Sequence, residues 1–367
     1  MTSDIITDGA ALERLRPDWN ALVMATPAAT PFLTWEWMTT WWRHVGIGSE
    51  LFIVTVRDDD GLVAIAPWFR KRTWALNSRL HFLGTGGAGS DYLDVIVRPG
   101  AEDQAIDAIA RALDGTTSTL HLDHLPAASM SERLSPALGR TGWTPLQSRP
   151  DVCPFIELSG HTFDSYLRTL GASHRANFRR RLRELQRRFV VSFSSASDGQ
   201  RSHALNRLFH FHRERWGGRG STAFTTMPLR GFHHDVSRQF RDAGWLRLFT
   251  LKLDGETAAV MYGFVLNGRF YFYQHGFAAA FAQYGVGLVL MGLTIKSAIE
   301  EACVEFDMLY GREPYKYLWA RAERPLSRLQ LFPPRLAGRL LRRQAETRLA
   351  LRGFAHAAGL RRSHAHS

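Results

Sequence analysis

The sequence predicts a chain of the α/β (α+β) class, a tandem pair of related units, each with a mixed, mainly antiparallel sheet flanked by helices. Three observations point there. Apolar runs meet at Asp60-Gly61, Asp254-Gly255 and Asn267-Gly268, turn signatures that fold the chain back into hairpins. The order hairpin, strand, helix, strand occurs in each half, visible in element order rather than in residue identity. A length of 367 residues, at roughly 150 per domain, leaves room for two domains with a sizeable core each.

In the first half, LFIVTVRDDDGLVAIAPWF forms the hairpin and SDYLDVIV a third strand ending at Pro99-Gly100; residues 102–113 form a helix and STLHLDHL the next strand. The boundary falls near Pro150, where PDVCPFIEL begins a new strand. The second unit opens with helix. In HTFDSYLRTLGASHRANFRRRLRELQRRF, Phe178, Leu182, Leu185 and Phe189 stand at i, i+4, i+7 and i+11, one apolar stripe on an otherwise arginine-covered circumference. A helix near 204–215 ends at Trp216-Gly217-Gly218, and the loop RGSTAFTTMP follows. WLRLFTLKLDGETAAVMYGFVLNGRFYFYQHGF is a three-stranded meander, succeeded by a helix near 286–302 and the strand VEFDMLY. From Pro333-Pro334 onward Leu and Ala alternate with Arg at helical spacing, and RRSHAHS ends the chain. Three segments result: 1–150, 151–332 and a basic helical tail, 333–367. That tail reads as a peripheral helix with a disordered end, or as a contact for an anionic membrane surface or a partner.

Composition removes several classes. Cys153 and Cys303 form no C-x-x-C pair, and no Cys/His cluster has ligand spacing, which argues against a disulfide framework and against a zinc site. The opening MTSDIITDGA has no basic n-region, and the longest uncharged apolar stretch, Tyr284 to Ile295, has 12 residues against the ~18 of a membrane span. A soluble, cytoplasmic protein is expected. The net charge is +12, yet only Lys71, Lys252, Lys296 and Lys316 are lysines. Such an arginine bias fits codon usage in a GC-rich genome and weakens any inference to nucleic acid. The charge is uneven: 175–188 holds seven arginines and one acid, and 335–362 eight arginines and one acid. G-x-S-x-G with a partner histidine and H-E-x-x-H are both missing, so serine-hydrolase and zinc-protease chemistry are unsupported.

The strongest local signal is QHGFAAAFAQYGVGLVLMGLTIKSAIEEA: strand, short loop, Gly285 and Gly287, then a long apolar helix. Glycines there let the backbone approach a ligand, and the free N–H groups of the helix start suit a pyrophosphate. The spacing matches neither G-x-G-x-x-G nor G-x-x-x-x-G-K-[ST]. Close helix packing is the competing reason for these glycines. In VEFDMLYGREPYKYLWA, a strand end brings together Asp307, Tyr310, Arg312, Glu313, Tyr315, Lys316 and Tyr317. Glu313 suits a base, Tyr315 a proton donor, and Lys316 a counter-charge for phosphate or oxyanion; ordinary salt bridges and buried hydroxyls are the bland alternative. GTGGAGSDYLDV precedes a strand, not a helix, and reads as a loop bordering a cleft through Asp91, Tyr92 and Asp94. His275 reads as a packed residue.

These segments, with FLTWEWMTTWW, LVAIAPWF and RERWGGRG, resemble the CelD/BcsL group of GNAT-type acyltransferases, similar in fold to the two-unit FemABX aminoacyl transferases. The resemblance spans roughly residues 20 to 330 and is most specific in FDMLYGREPYKYLWA with the preceding glycine junction. It implies a pair of GNAT domains, acyl-CoA (acetyl-CoA) as donor, no metal, and work on a sugar, polysaccharide or cell-envelope precursor. The family's pyrophosphate motif, [QR]-x-x-G-x-[GA], sets its glycines on Gly285 and Gly287, flanking Val286, but leaves Ala282 at the Gln/Arg position and Gln283 one place late. The resemblance further implies that the last meander strand splays from its neighbour, offering the backbone of Gln274, His275, Gly276 and Phe277 to the donor. In the first half, Glu102 and Asp103 at the equivalent helix start would repel a pyrophosphate, so that unit is expected to be a degenerate, cofactor-free copy.

Direct attack of an acceptor amine or hydroxyl on the thioester is the implied reaction, with Glu313, Tyr315, Lys316 and Asp307 as the catalytic set. Two other readings stand beside it. A FemABX-like transferase would take aminoacyl-tRNA, gripped by the arginines of 175–188. A non-catalytic GNAT-like scaffold would serve polysaccharide biosynthesis.

Overall fold

The computed structural model describes residues 1–72, 78–216 and 222–357. Its elements begin with β1 (Thr2–Ile6), α1 (Gly9–Arg14), α2 (Arg16–Ala25) and α3 (Trp35–Val45). The hairpin β2 (Glu50–Asp58) and β3 (Gly61–Arg72) follows, then β4 (Ser78–Phe82), β5 (Ile96–Val97), α4 (Glu102–Ala112), β6 (Thr119–Leu125) and α5 (Leu134–Gly139). Next come β7 (Thr144–Glu157), α6 (Phe163–Thr169), α7 (Ala172–Arg188), β8 (Val191–Ser195), α8 (Asp198–Trp216) and α9 (Met227–Asp242). The meander β9 (Leu246–Leu253), β10 (Glu256–Leu266) and β11 (Arg269–Phe277) leads to α10 (Val286–Glu300), β12 (Glu305–Asp307), β13 (Ala322–Phe332) and α11 (Leu336–Ala357). This is the expected α/β class, with mixed sheets flanked by helices.

The described residues form two compact units, one of 1–150 with 325–357, the other of 151–324. Residues 325–332, expected with the second unit, therefore pack with the first, because Ser327 to Leu331 pair with β6. In the first unit the strand order is β1-β2-β3-β4-β6-β13, with β5 on β3. Of the pairings among the described residues of this unit, β4 with β6 runs parallel and β1–β2, β2–β3, β3–β4, β3–β5 and β6–β13 antiparallel. The third strand expected from SDYLDVIV shrinks to Ile96 and Val97. The preceding residues are held as a loop because the buried Asp94 carboxylate accepts from Ser129 Oγ, Ser131 Oγ and the Ser131 and Met130 N–H groups.

In the second unit the order is β7-β12-β11-β10-β9-β8, with β11 and β12 parallel. Both predicted turns have positive φ at each central residue, 49° and 84° at Asp254 and Gly255 and 48° and 70° at Asn267 and Gly268, the type I′ geometry that matches strand twist. One sheet face packs on α7 and α10 through Phe249, Met261, Phe270, Val289 and Ile295. Phe270 and Phe306 stack with centroids 4.6 Å apart. Successive side chains alternate faces; accordingly Tyr262, Phe264 and Tyr273 meet His233 and Phe240 of α9. The α7 stripe behaves as its spacing requires. Phe178 and Leu185 are buried, and Leu182 and Phe189 pack at the margin. Gly292 is what lets α10 approach, since a Cβ there would run into the Phe178 ring. Burying Phe178 contributes about 1.5–3 kcal/mol. Strand β12 is shorter than VEFDMLY suggests: Leu309 turns to φ 55° and ends the extended run.

The helix near 204–215 is α8, while Gly217, Gly218 and part of the loop RGSTAFTTMP lie outside the described residues, as does RRSHAHS. Among the described residues no helix is long and apolar enough to cross a membrane, and no group of His, Cys, Asp or Glu has the makings of a metal site.

Candidate active site

Strand β11 pairs with β12 only from Arg269 to Tyr271, where β12 ends at Asp307, while its pairing with β10 continues to Phe277. Gln274, His275, Gly276 and Phe277 thus lie on the stretch of β11 that β12 does not pair. His275 is partly buried, with its ring 5.3 Å from Phe272 and 5.6 Å from Tyr315. Burial, reinforced by His212, Arg215 and Lys316, pushes its imidazole down to about 3, so it is neutral at physiological pH. Its carbonyl accepts from His212 Nε2 at 2.9 Å. His275 thus packs between Phe272 and Tyr315 on this strand.

Helix α10 starts beside the end of that strand. Gly285 takes φ +71°, a left-handed conformation that glycine adopts without strain. A Cβ on Gly285 would touch Arg181 of α7, at 3.4 Å from Cγ and Cδ and 3.5 Å from Nε. A Cβ on Gly287 would meet the Phe277 ring at 3.1 Å, and one on Gly276 would meet Phe211 and Leu208 of α8 at 3.0 and 3.1 Å. Packing therefore accounts for Gly276 and Gly287, and backbone conformation for Gly285. Among the described residues the Val286 and Gly287 N–H groups donate to nothing in the chain, as expected of a helix start. Gln283 is exposed on the 3₁₀ turn Ala279–Tyr284. The cationic complement comes from α7 instead. Arg181 flanks Gly285 and donates to Glu184 at 3.1 Å, and Arg188 lies 5.6 Å from the Tyr284 ring centroid. A helix start with two free amides and an adjacent guanidinium fits a diphosphate in donor set and charge.

The charged cluster divides into two roles. Lys316 is 3% exposed; its Nζ donates to Leu309 O at 3.1 Å, to Tyr310 O, and sits 3.0 Å from Glu313 Oε2. It ties the loop together and orients Glu313, so the counter-charge role expected for it toward phosphate or oxyanion is not where its bonds point. Glu313 is half-exposed and reachable. The Tyr315 phenol is pushed up by burial and by the Glu313 charge, which keeps it protonated, the state a proton donor needs. Asp307 differs from expectation. It is fully buried, Oδ1 accepts from Leu309 N at 2.7 Å, and Oδ2 from Arg324 at 3.0 Å. Arg324 also holds Glu305 and lies over Phe155. Both Asp307 oxygens are engaged in ending β12, which makes it part of the frame.

Gly84 to Asp94, read as a loop beside a cleft, is a loop within the first unit. Asp91, Tyr92 and Asp94 are buried there, with Asp91 on His124 at 2.9 Å and Asp94 on Ser129 and Ser131. Sequence reasoning missed two residues, Arg181 and His212. Arg181 was hidden among seven arginines, and only its position against Gly285 singles it out. The His212 Nδ1 is buried with no hydrogen-bond partner among the described residues, and nothing in HFHRERW marks it.

Residues 172–317 match the family model described as acetyltransferase (GNAT) domain, so the segment from α7 to the Glu313–Lys316 cluster has the pattern of an acyltransferase domain. No curated protein matches the sequence. Among solved structures, FemX superimposes with a TM-score of 0.62 at 12% identity, covering 90% of this chain and 97% of FemX. A conserved protein of unknown function from Bacteroides thetaiotaomicron gives 0.60 at 11%, with 89% and 99% covered. The C-terminal domain of a protein described as a lysylphosphatidylglycerol synthetase from Agrobacterium fabrum gives 0.57 at 10%, with 92% and 96% covered. At such identities the likeness is one of fold.

Proposed function

We propose that the chain is an acyltransferase that takes its acyl group from acyl-CoA, with acetyl-CoA the simplest donor. The observation that supports this most directly is the junction of three features: the part of β11 left unpaired by β12, the free amides of Val286 and Gly287, and Arg181 against Gly285. The diphosphate of the coenzyme would lie on the amides and Arg181, and its pantetheine arm along Gln274 to Phe277. An acceptor amine or hydroxyl then attacks the thioester carbonyl; Glu313 accepts the acceptor's proton and Tyr315 protonates the departing thiolate. The bond formed is acyl–N or acyl–O, the bond broken acyl–S. Lys316 holds Glu313 in place. The acceptor class, a sugar, polysaccharide or cell-envelope precursor, follows from the CelD/BcsL resemblance, as do a degenerate donor-free first unit and a donor-binding second unit, the latter now residues 151–324 because 325–332 pack with the first. Calorimetry with acetyl-CoA tests the reading: binding that disappears in Arg181→Ala supports it, and no heat at millimolar ligand removes it.

One observation favours a second donor. Arg179, Arg180, Arg183, Arg187 and Arg188 share α7 with Arg181, and the only acid among them, Glu184, is shared by Arg180, Arg181 and Arg188. That surplus suits the backbone of an aminoacyl-tRNA, and a FemX-like fold is compatible with it. Steeply salt-dependent tRNA binding, lost in Arg179→Ala/Arg180→Ala/Arg183→Ala, would select this donor over coenzyme A.

A further inference from the structure

The first unit holds a cavity remote in sequence from the residues above. It lies between strand residues of β4, β6, β7 and β13 and the helix α11, with a volume of about 170 Å³. Among the described residues three guanidiniums line it, Arg79, Arg328 and Arg348, and no carboxylate does. Arg328 is paired with Asp123. Arg79 and Arg348 have no acidic partner among the described residues. The rest of the polar lining is uncharged, and three of its side chains are tied to one another. Gln330 Nε2 donates to His121 Nδ1 at 2.9 Å, which leaves the His121 Nε2 proton for Thr119 Oγ1 at 3.0 Å. His121 therefore adds a fixed neutral ring.

We infer that this cavity is a binding site for a phosphate group, held by Arg79 and Arg348 with Arg328 behind them. Two guanidiniums facing one concave space without an acid repel each other, and a phosphate relieves that while matching their planar donor forks. The volume is well below the roughly 300–1,000 Å³ of sites for drug-sized ligands, so the cavity suits a phosphate with few further atoms, either a small phosphomonoester or the head group of a lipid. The outward face of α11 gives the lipid source a physical basis: Leu336 and Leu340 are 76% and 58% exposed, and Arg339 and Arg343 neighbour them in sequence.

The test uses the full chain with two probes, glycerol 3-phosphate by calorimetry and phosphatidylcholine vesicles with or without phosphatidic acid by co-sedimentation. Arg79→Gln/Arg348→Gln and Leu336→Glu/Leu340→Glu are compared with the unaltered protein after thermal melts confirm folding. Millimolar or tighter binding of glycerol 3-phosphate, weakened about tenfold or more in the arginine variant, supports the site with a soluble ligand. Binding only to phosphatidic acid vesicles, weakened likewise in the arginine variant, supports it with a lipid. Binding to neither probe overturns the inference. So does binding that survives in the arginine variant, including vesicle binding that only the leucine variant abolishes.

Discussion

The side chain of Arg181 lies against Gly285, its Nε 3.5 Å from where a Cβ would stand. The one position of the α10 start that needs glycine for its φ of +71° is thus also the position a cation covers. An aspartate placed there would pair with Arg181 and set a negative charge before the free amides. Gly285→Asp is expected to weaken acetyl-CoA binding by at least about tenfold, about 1.4 kcal/mol. Gly285→Asn, which tolerates the same backbone region without the charge, should keep most of the affinity. Calorimetry on both variants decides it, and equal losses would mean that strain rather than charge is responsible.

Glu313 is half-exposed and oriented by Lys316, whereas Tyr315 is kept protonated by burial. If they act as base and acid, Glu313→Gln and Tyr315→Phe each lower kcat by roughly 10²–10⁴-fold while KM for the donor stays near its original value. Steady-state kinetics with a trapped acceptor reads this. Unchanged kcat in both would leave only positioning to the loop.

Asp307 stands at the opposite end of the scale, fully buried between Arg324 and the Leu309 amide. Removing its charge takes away one of the two carboxylates that Arg324 holds and leaves the pair with Glu305. Asp307→Asn is expected to cost about 1.5–3 kcal/mol of stability, measurable as a lower urea midpoint, with donor affinity of the folded fraction little changed. A stable variant that has lost turnover would reassign Asp307 to the chemistry.

Acid should unfold the protein before its carboxylates titrate. Burial lowers His81 and His212 to about 4 and His121, His233 and His275 to about 3, from an ordinary 6.5. Because these folded-state values are depressed, the unfolded chain takes up protons first as pH falls below 6.5. The stability they lend is whole above that value and is lost down to pH 3–4. Each site contributes a slope of up to about 1.4 kcal/mol per pH unit. The buried Asp94, shifted upward, acts in the opposite sense, but as a single group. Urea midpoints should therefore drop between pH 7 and pH 5, with uptake of more than one proton on unfolding. A flat profile over that interval would show that these imidazoles are hydrated in solution.

Much of this was legible because it rests on local rules. Asp254-Gly255 and Asn267-Gly268 specify their turns without outside help, and the spacing of Phe178, Leu182, Leu185 and Phe189 specifies the buried face of α7. The misses share a different cause. SDYLDVIV has strand composition, but Asp94 is bound by serines 35 and 37 positions later, and such long-range side-chain bonds leave no periodic trace. Asp307 and Lys316 looked catalytic because charge beside a phenol is all that sequence displays; their burial and their partners Arg324, Leu309 and Tyr310 assign them to the frame. Arg181 could not be picked from its neighbours until α7 and the start of α10 were placed together.

The pairing of Leu122 with Leu329 has a temporal side. Strand β6 leaves the ribosome about 200 residues ahead of its partner, a gap of roughly 10–40 s at ~5–20 residues per second. Throughout that interval the hydrogen-bonding edge that β13 will cover is bare, and by its end every strand of the intervening unit has been synthesised. Nascent-chain proteolysis should accordingly find the later-made unit protected before the earlier one. A truncation just short of Pro325 would leave the first unit with its sheet unfinished and open to adventitious strand addition.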